Sequence, residues 1–386
     1  MNKAVMLMTA FLAALLLGWW QHHDIARTDG VMELRAEVLQ ADDSRLITQG
    51  QARLGSQLLT LRLKNGPWPE RQLTHVVNIF NGTMEFDEYY QPGDSLIVAV
   101  SDNGQDPVRV QIVARDRLVT LGILCAILLL SLLLYAGKTG ARALLSFACC
   151  VLILWQLLIP QLLAGGSAIL WSSVCVVALV VLILGSVAGF SHKSVAAFTG
   201  TLLGLIITGV LGWWACNLMH LDGMTQVMAQ SLFFETGMTL DLRQIFCAAI
   251  IIGASGAAMD VAIEMAATME EIYIHRPDLN AWQLLRSGFN VGNVVIGTMT
   301  TTLLLAYSGG FLTLMMMFSQ RQASLLQILN MKVVAAELTR ILVGSCSLVI
   351  VAPLTAWIAA GLYCGWSFSR PESNASVPLA GTDMRR

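Results

Sequence analysis

The chain has 386 residues, 56% of them hydrophobic and only 12% charged, with a formal net charge of −2. A soluble domain carries about 25% charged residues, so this composition excludes an ordinary soluble protein and points to the membrane class. The near-neutral charge, without basic clusters or aromatic stacking platforms, excludes a nucleic-acid binder.

Charge is unevenly spread. Half of the Lys, Arg, Asp and Glu residues lie in the first 116 positions, and from Val119 to Leu221 only Lys138, Arg142 and Lys193 carry charge. One polar domain therefore precedes a membrane domain. The expected divisions are an N-terminal anchor helix (1–21), an external β-rich domain (22–116), a helical membrane domain (117–365) and a disordered cytoplasmic tail (366–386).

A spanning helix needs about 20 apolar residues. That rule marks eight expected spans: 4–20, 117–137, 142–163, 167–190, 194–216, 242–264, 290–308 and 335–363. The first follows Lys3 and ends in Trp19 and Trp20, an interfacial signature. No small-x-small cleavage site precedes His22, so an uncleaved anchor is expected. Lys138 and Arg142, then His192 and Lys193, then Arg276 and Arg286, then Arg370, Arg385 and Arg386 all fall on the side of Lys3. By the positive-inside rule both termini are cytoplasmic and the polar domain is external or periplasmic, in an inner or plasma membrane. Arg321 and Lys332 fall on the opposite side.

Between the first two spans, "VMELRAEVLQ", "LITQGQARLG", "QLLTLRLKNG", "SLIVAV" and "PVRVQIVARD" read as strands, with turn signals at "NGT" (81–83) and "QPGD" (91–94). The expectation is a small barrel or sandwich. It holds no cysteine, triad, metal cluster or phosphate loop, so it reads as a folded spacer, and no cofactor or metal is expected. The eight cysteines of the chain all lie in apolar runs, where a thiol behaves as a small hydrophobe.

The sixth span carries the chemistry. Residues three, four and seven apart share a helix face, so Gly253, Gly256, Asp260, Glu264 and Glu271 form one stripe, with Thr268 beside it. Glycines permit close helix approach, and ionised acids facing lipid cost roughly 3 kcal/mol each. In the seventh span Arg286, Asn290, Asn293, Gly297 and Thr301 share a face, flanked by Thr300. Antiparallel packing of the two spans is expected to bring Asp260 to the depth of Asn290 and Asn293, in a compact polar site. Interhelical hydrogen bonding is the structural alternative to a pathway. "GGFLTLMMMF" (309–318) is too short to cross and reads as re-entrant or interfacial. At the start of the eighth span Glu337 and Arg340 stand at ion-pair spacing, and Pro353 is placed to kink the helix.

Two protease readings fail. "GASG" (253–256) offers Ser255, but a nucleophilic serine needs a base, and no histidine lies inside a span. An aspartyl protease needs two intramembrane aspartates, and Asp260 stands alone. No ATP-binding loop is present, so any transport is secondary or channel-like, and no enzyme activity is expected.

The blocks "DLRQIFCAAIIIGASGAAMDVAIEMAATMEEI" (241–272), "RSGFNVGNVVIGTMTTTLLLAYSGG" (286–310) and "AELTRILVGSCSLVIVAPLTAWIAA" (336–360) resemble the YibE/F-like multi-pass membrane proteins of bacteria. The resemblance runs through Gly256, Ala257, Met259, Asp260, Val261 and Ala262. It continues through Gly297, Thr298, Met299 and Thr300, and then through Glu337, Arg340, Pro353, Leu354 and Thr355. It implies a helical polytopic protein with an external β domain after the first helix. The family pattern has Arg-Asp after the seventh-span glycine and Asn after G-T-M-T. This chain has Asn293, Val294 and Thr301 there, so those charges are lost.

The expected function is a secondary transporter or channel-like permease. The alternative is a membrane scaffold or signalling partner acting through the β domain. The expected partners are the bilayer, a small solute or ion, and a second copy or related membrane subunit.

Overall fold

The computed structural model describes residues 31–50, 52–83, 86–102, 107–187, 189, 191–321 and 324–365. The expected first span (4–20) and the expected tail (366–386) lie outside the described residues. The chain divides into two compact units, with the boundary between Ala141 and Arg142. By contact, the helical residues that follow the sheet, up to Ala141, therefore group with it.

The first unit holds one antiparallel sheet of β1 (Val31–Gln49), β2 (Ala52–Leu63), β3 (Gln72–Asn81), β4 (Ser95–Asp102) and β5 (Pro107–Arg115). Its order is β3-β2-β1-β4-β5. β1 pairs with β4 along its first part and with β2 from Ala36 onward. Register shifts after Val38 and Asp42 bend it between the two partners, as bulges do. The sheet curls until its edge strands β3 and β5 approach one another. Leu59, Leu61, Leu63, Leu96 and Val98 alternate inward and are fully buried. Gln57 is buried with them, its amide donating to the Asp43 carboxylate and the Tyr90 carbonyl, each at 2.8 Å.

Two strand expectations need correction. "LITQGQARLG" is not one strand: the chain turns at Gly50 (φ +65°), so its first half ends β1 and its second half starts β2. β3 is a strand that the sequence reading lacks. Its run "THVVNIF" before the "NGT" turn is the signal that could have revealed it.

Six helices among the described residues are long and apolar enough to cross a membrane. They are α1 (Leu118–Leu163), α2 (Ala168–Val187), α3 (His192–Leu218), α5 (Leu242–His275), α6 (Ala281–Gly310) and α9 (Lys332–Cys364). Short helices α4 (Ala229–Glu235), α7 (Leu312–Arg321) and α8 (Leu325–Asn330) lie between them. The expected spans 117–137 and 142–163 are therefore joined in α1. The join is not straight: Gly137 has φ 50° and ψ −121°, a conformation that only glycine adopts readily. A Cβ built on Gly140 would stand 2.6 Å from the Leu132 carbonyl oxygen. In a straight helix residues eight apart are separated by about 12 Å, so the chain folds sharply here. Further on, a π turn at Leu154–Leu158 accommodates Pro160, which cannot donate to the helix ladder.

The second unit is held by a core from α2, α3, α5, α6 and α9, with Ala258, Val261, Ala262, Met269, Leu284 and Leu348 at its centre. α3 meets α9 along Gly200 and Gly204, where backbone lies against Thr355 and Val351. The bundle has two distinct ends. At one, Lys193 pairs with Glu270 at 2.9 Å and Tyr273 stacks on Tyr363. At the other, Lys332 pairs with Asp222 and Arg340 bonds Gln226.

Candidate functional site

α5 starts where the sequence predicts: the Asp241 side chain accepts the Gln244 backbone N–H at 3.1 Å, an N-cap. It then runs past the expected end at 264 to His275, so Glu264, Glu270 and Glu271 all ride on one 34-residue helix. α6 begins nine residues before the expected 290. Asn280 and Gln283 form a reciprocal capping box there, a spacing legible in the sequence. Arg286 is therefore helical, not part of a loop.

The α5 stripe forms as the periodicity requires. Gly253, Gly256, Asp260, Glu264 and Glu271 are exposed, while Ala254, Ala258, Val261, Ala262 and Met265 on the other side are buried. No atom lies within 4 Å of a Cβ built on Gly256. Over Gly253 only the Tyr307 hydroxyl comes near, at 3.6 Å. The carboxylates of Asp260 and Glu264 make no hydrogen bond or ion pair among the described residues.

The arrangement of α6 differs from the expectation. It packs on α5 and α9 through Gly288 and Gly292. A Cβ on Gly288 would meet the Met269 sulfur at 2.8 Å and the Ala356 methyl at 3.2 Å; one on Gly292 would meet the Met265 methyl at 3.3 Å. The stripe of Arg286, Asn290, Asn293, Gly297 and Thr301 lies on the far side of α6, and all five residues are exposed. The two polar faces do not close on each other within one chain, so the compact intrachain site is not formed. The levels also differ from expectation by one to two turns. Contacts of Met265 with Gly292 and Met269 with Gly288 set Glu264 level with Asn293, Glu271 with Arg286, and Asp260 with Gly297.

The hydroxyls nearby are spent locally. Thr301 donates to the Gly297 carbonyl at 3.0 Å, and Thr268 to that of Glu264 at 2.8 Å. The buried Thr300 hydroxyl is the exception, with no partner among the described residues. Gly297, on the polar face of α6, has open space above it. Ser255 points into the core and donates to the Ile252 carbonyl at 2.7 Å.

At the other end of the bundle Arg340 donates to Glu337 at 3.1 Å, with side chains only 21% and 12% exposed. It also bonds Gln226 and lies 5.5 Å from the Phe246 ring centroid. Sequence spacing points to the pair. Gln226 and Phe246 come from other elements and leave no local signal. Beside them is a cavity of about 410 Å³ lined by Gln226, Ser231, Glu235 and Phe246. α9 continues through Pro353 as one helix.

Residues 124–365 match the family described as YibE/F-like protein. The match covers more than half of the chain, which belongs to that family. No curated protein and no solved structure matches it.

Proposed function

We propose that this YibE/F-like membrane protein is a secondary transporter or channel-like permease whose polar pathway follows the α5 and α6 faces. One observation carries the reading. Two carboxylates one turn apart sit mid-helix in a membrane-crossing segment, exposed beside bare glycines and without partners among the described residues. Each would cost roughly 3 kcal/mol against lipid, and intramembrane acids are rarely kept without a task. A face of two acids followed by amides suits a proton, a cation or a small polar solute. Ser255, buried and hydrogen-bonded within its own helix, argues against a serine nucleophile at this site.

The topology that goes with this reading has both termini in the cytoplasm and the β domain outside. The Lys193–Glu270 pair supports it, by joining two of the segments expected on the cytoplasmic side. α1 has 46 residues, about 69 Å of helix, against a hydrocarbon core of about 30 Å. With its break at Gly137 it suffices for two crossings, and residues 4–20 would complete eight.

The test is a broad ion and solute flux screen in proteoliposomes, followed by Asp260→Asn. Asparagine keeps the hydrogen-bonding shape but cannot titrate. Flux should fall while expression and melting temperature stay near wild type. Full flux in this variant refutes Asp260 as a titrating site.

A second reading, a scaffold or signalling partner, is favoured by the β domain. Ile47, Leu54, Val77 and Ile79 are exposed at 69%, 42%, 50% and 63% on strands β1 to β3. Clustered exposed apolar residues mark protein contacts. Ile79→Lys should release a cross-linked partner and leave flux unchanged if the two roles are separate.

A further inference from the structure

We infer that the exposed polar faces of α5 and α6 receive a second copy of this chain, related by a two-fold axis along the membrane normal. The inference rests on reading these faces as the polar pathway, which then runs between two copies.

α6 is attached to the bundle by one narrow side, and only 11% of its most apolar window is buried. Arg286, Asn290 and Asn293 point away from that side and have no partner among the described residues. Asp260 and Glu264 on α5 are equally unmet among the described residues, while Glu271 has its own helix's His275 beside it at 3.5 Å. Lipid cannot serve as the cover, because it offers these groups no hydrogen bonds.

The two faces are complementary at matched depth. The acids are all on α5, and the amides and guanidinium are all on α6. An axis along the normal keeps every residue at its own depth. With α5 of one copy facing α6 of the other, Glu264 meets Asn293 and Glu271 meets Arg286, following the levels set by the methionine–glycine contacts. Asp260 meets Gly297, where α6 presents no side chain to obstruct approach. Gly256 and Gly297, open in the single chain, then do what small residues do at helix interfaces.

Within residues 4–20 the only hydroxyl is Thr9, and no charged or amide side chain occurs. Residues 118–137 offer Thr120, Ser131 and Tyr135, again with no charge or amide. Neither segment can answer two carboxylates, two amides and a guanidinium. A second copy can.

The test uses the full-length protein in native membranes. Two differently tagged copies carry Glu264→Cys and Asn293→Cys in a background with the native cysteines replaced. Oxidation should cross-link the tags to each other. Pairing Glu264→Cys with Thr301→Cys, eight residues or about 12 Å further along the helix, should give little product. A second arm keeps the native cysteines and counts subunits in bilayers by single-molecule photobleaching. Glu271→Arg and Arg286→Glu should each weaken association roughly fivefold, as for one interhelical polar pair, and the double exchange should restore it. Monomers at all densities, equal cross-linking of the mismatched pair, capture of Glu264→Cys by the chain's own residues 4–20, or a double exchange no better than the singles overturns the inference. Monomers that still show Asp260-dependent flux would leave the transport reading standing. A dimer without flux would leave the interface standing and remove the transport reading.

Discussion

Replacing Gly200 by alanine tests the frame that holds the polar faces in place. A Cβ at this position on α3 would stand 2.1 Å from the Thr355 hydroxyl oxygen and 2.9 Å from the Thr355 Cα on α9. The hydroxyl can rotate away, since it makes no hydrogen bond among the described residues. The Cα cannot. Ordinary carbon–carbon contact is 3.5–4.0 Å, so the helices must separate by roughly 1 Å. Overpacking of this kind costs about 1–3 kcal/mol, and contact with backbone places it near the top of that range. Alanine recovers about 1 kcal/mol of helix propensity. The net loss is then about 2 kcal/mol, from the same overpacking and propensity magnitudes. The matched control is Gly256→Ala, where nothing lies within 4 Å and only the propensity gain applies. Melting of both variants should be followed in detergent-dispersed monomers by loss of the monodisperse peak on heating. Gly200→Ala should melt well below wild type and Gly256→Ala at or above it. Equal melting of the two would refute the close α3–α9 seam.

Arg340→Ala should cost about 3–5 kcal/mol, because it strands the largely buried Glu337 without its counter-ion; adding Glu337→Leu should recover much of that melting temperature. In the sheet domain burial pulls the Glu88 pKa upward, but Arg117 at 2.7 Å, the Tyr90 hydroxyl and the Arg115 backbone N–H outweigh it, holding the carboxyl below its ordinary value. A depressed folded-state pKa adds stability above the unfolded value of about 4.3 that is lost as pH falls through the folded value. Melting of wild type should therefore drop more steeply below about pH 5 than that of Glu88→Gln, and parallel curves would count against the ion pair. Cysteine at the exposed Thr74 should react with an impermeant maleimide added outside spheroplasts, whereas reaction only after lysis would invert the topology.

Much of this architecture is legible in residue order, because its causes are local. Apolar stretches mark α1, α2, α3, α5, α6 and α9, and alternating or continuous runs of β-formers between turn signals mark four of the five strands. The spacing of Gly253, Gly256, Asp260, Glu264 and Glu271 suffices to put them on one face of α5, since 3.6 residues per turn is a property of the backbone. The break at Gly137 is not legible, because glycine permits a positive φ without requiring it. The ion-pair spacing of Glu337 and Arg340 is local, while Gln226 and Phe246 reach that pair from elements about 90 or more positions away. What the α6 stripe faces is also a tertiary matter. In water a polar stripe points outward and an apolar one inward, but in a membrane both surroundings are apolar and hydropathy loses that meaning. The G-x-x-x-G spacing of Gly288 and Gly292 seats α6 on Met265, Met269 and Ala356. That seating turns Asn290 and Asn293 away from the acids of their own chain.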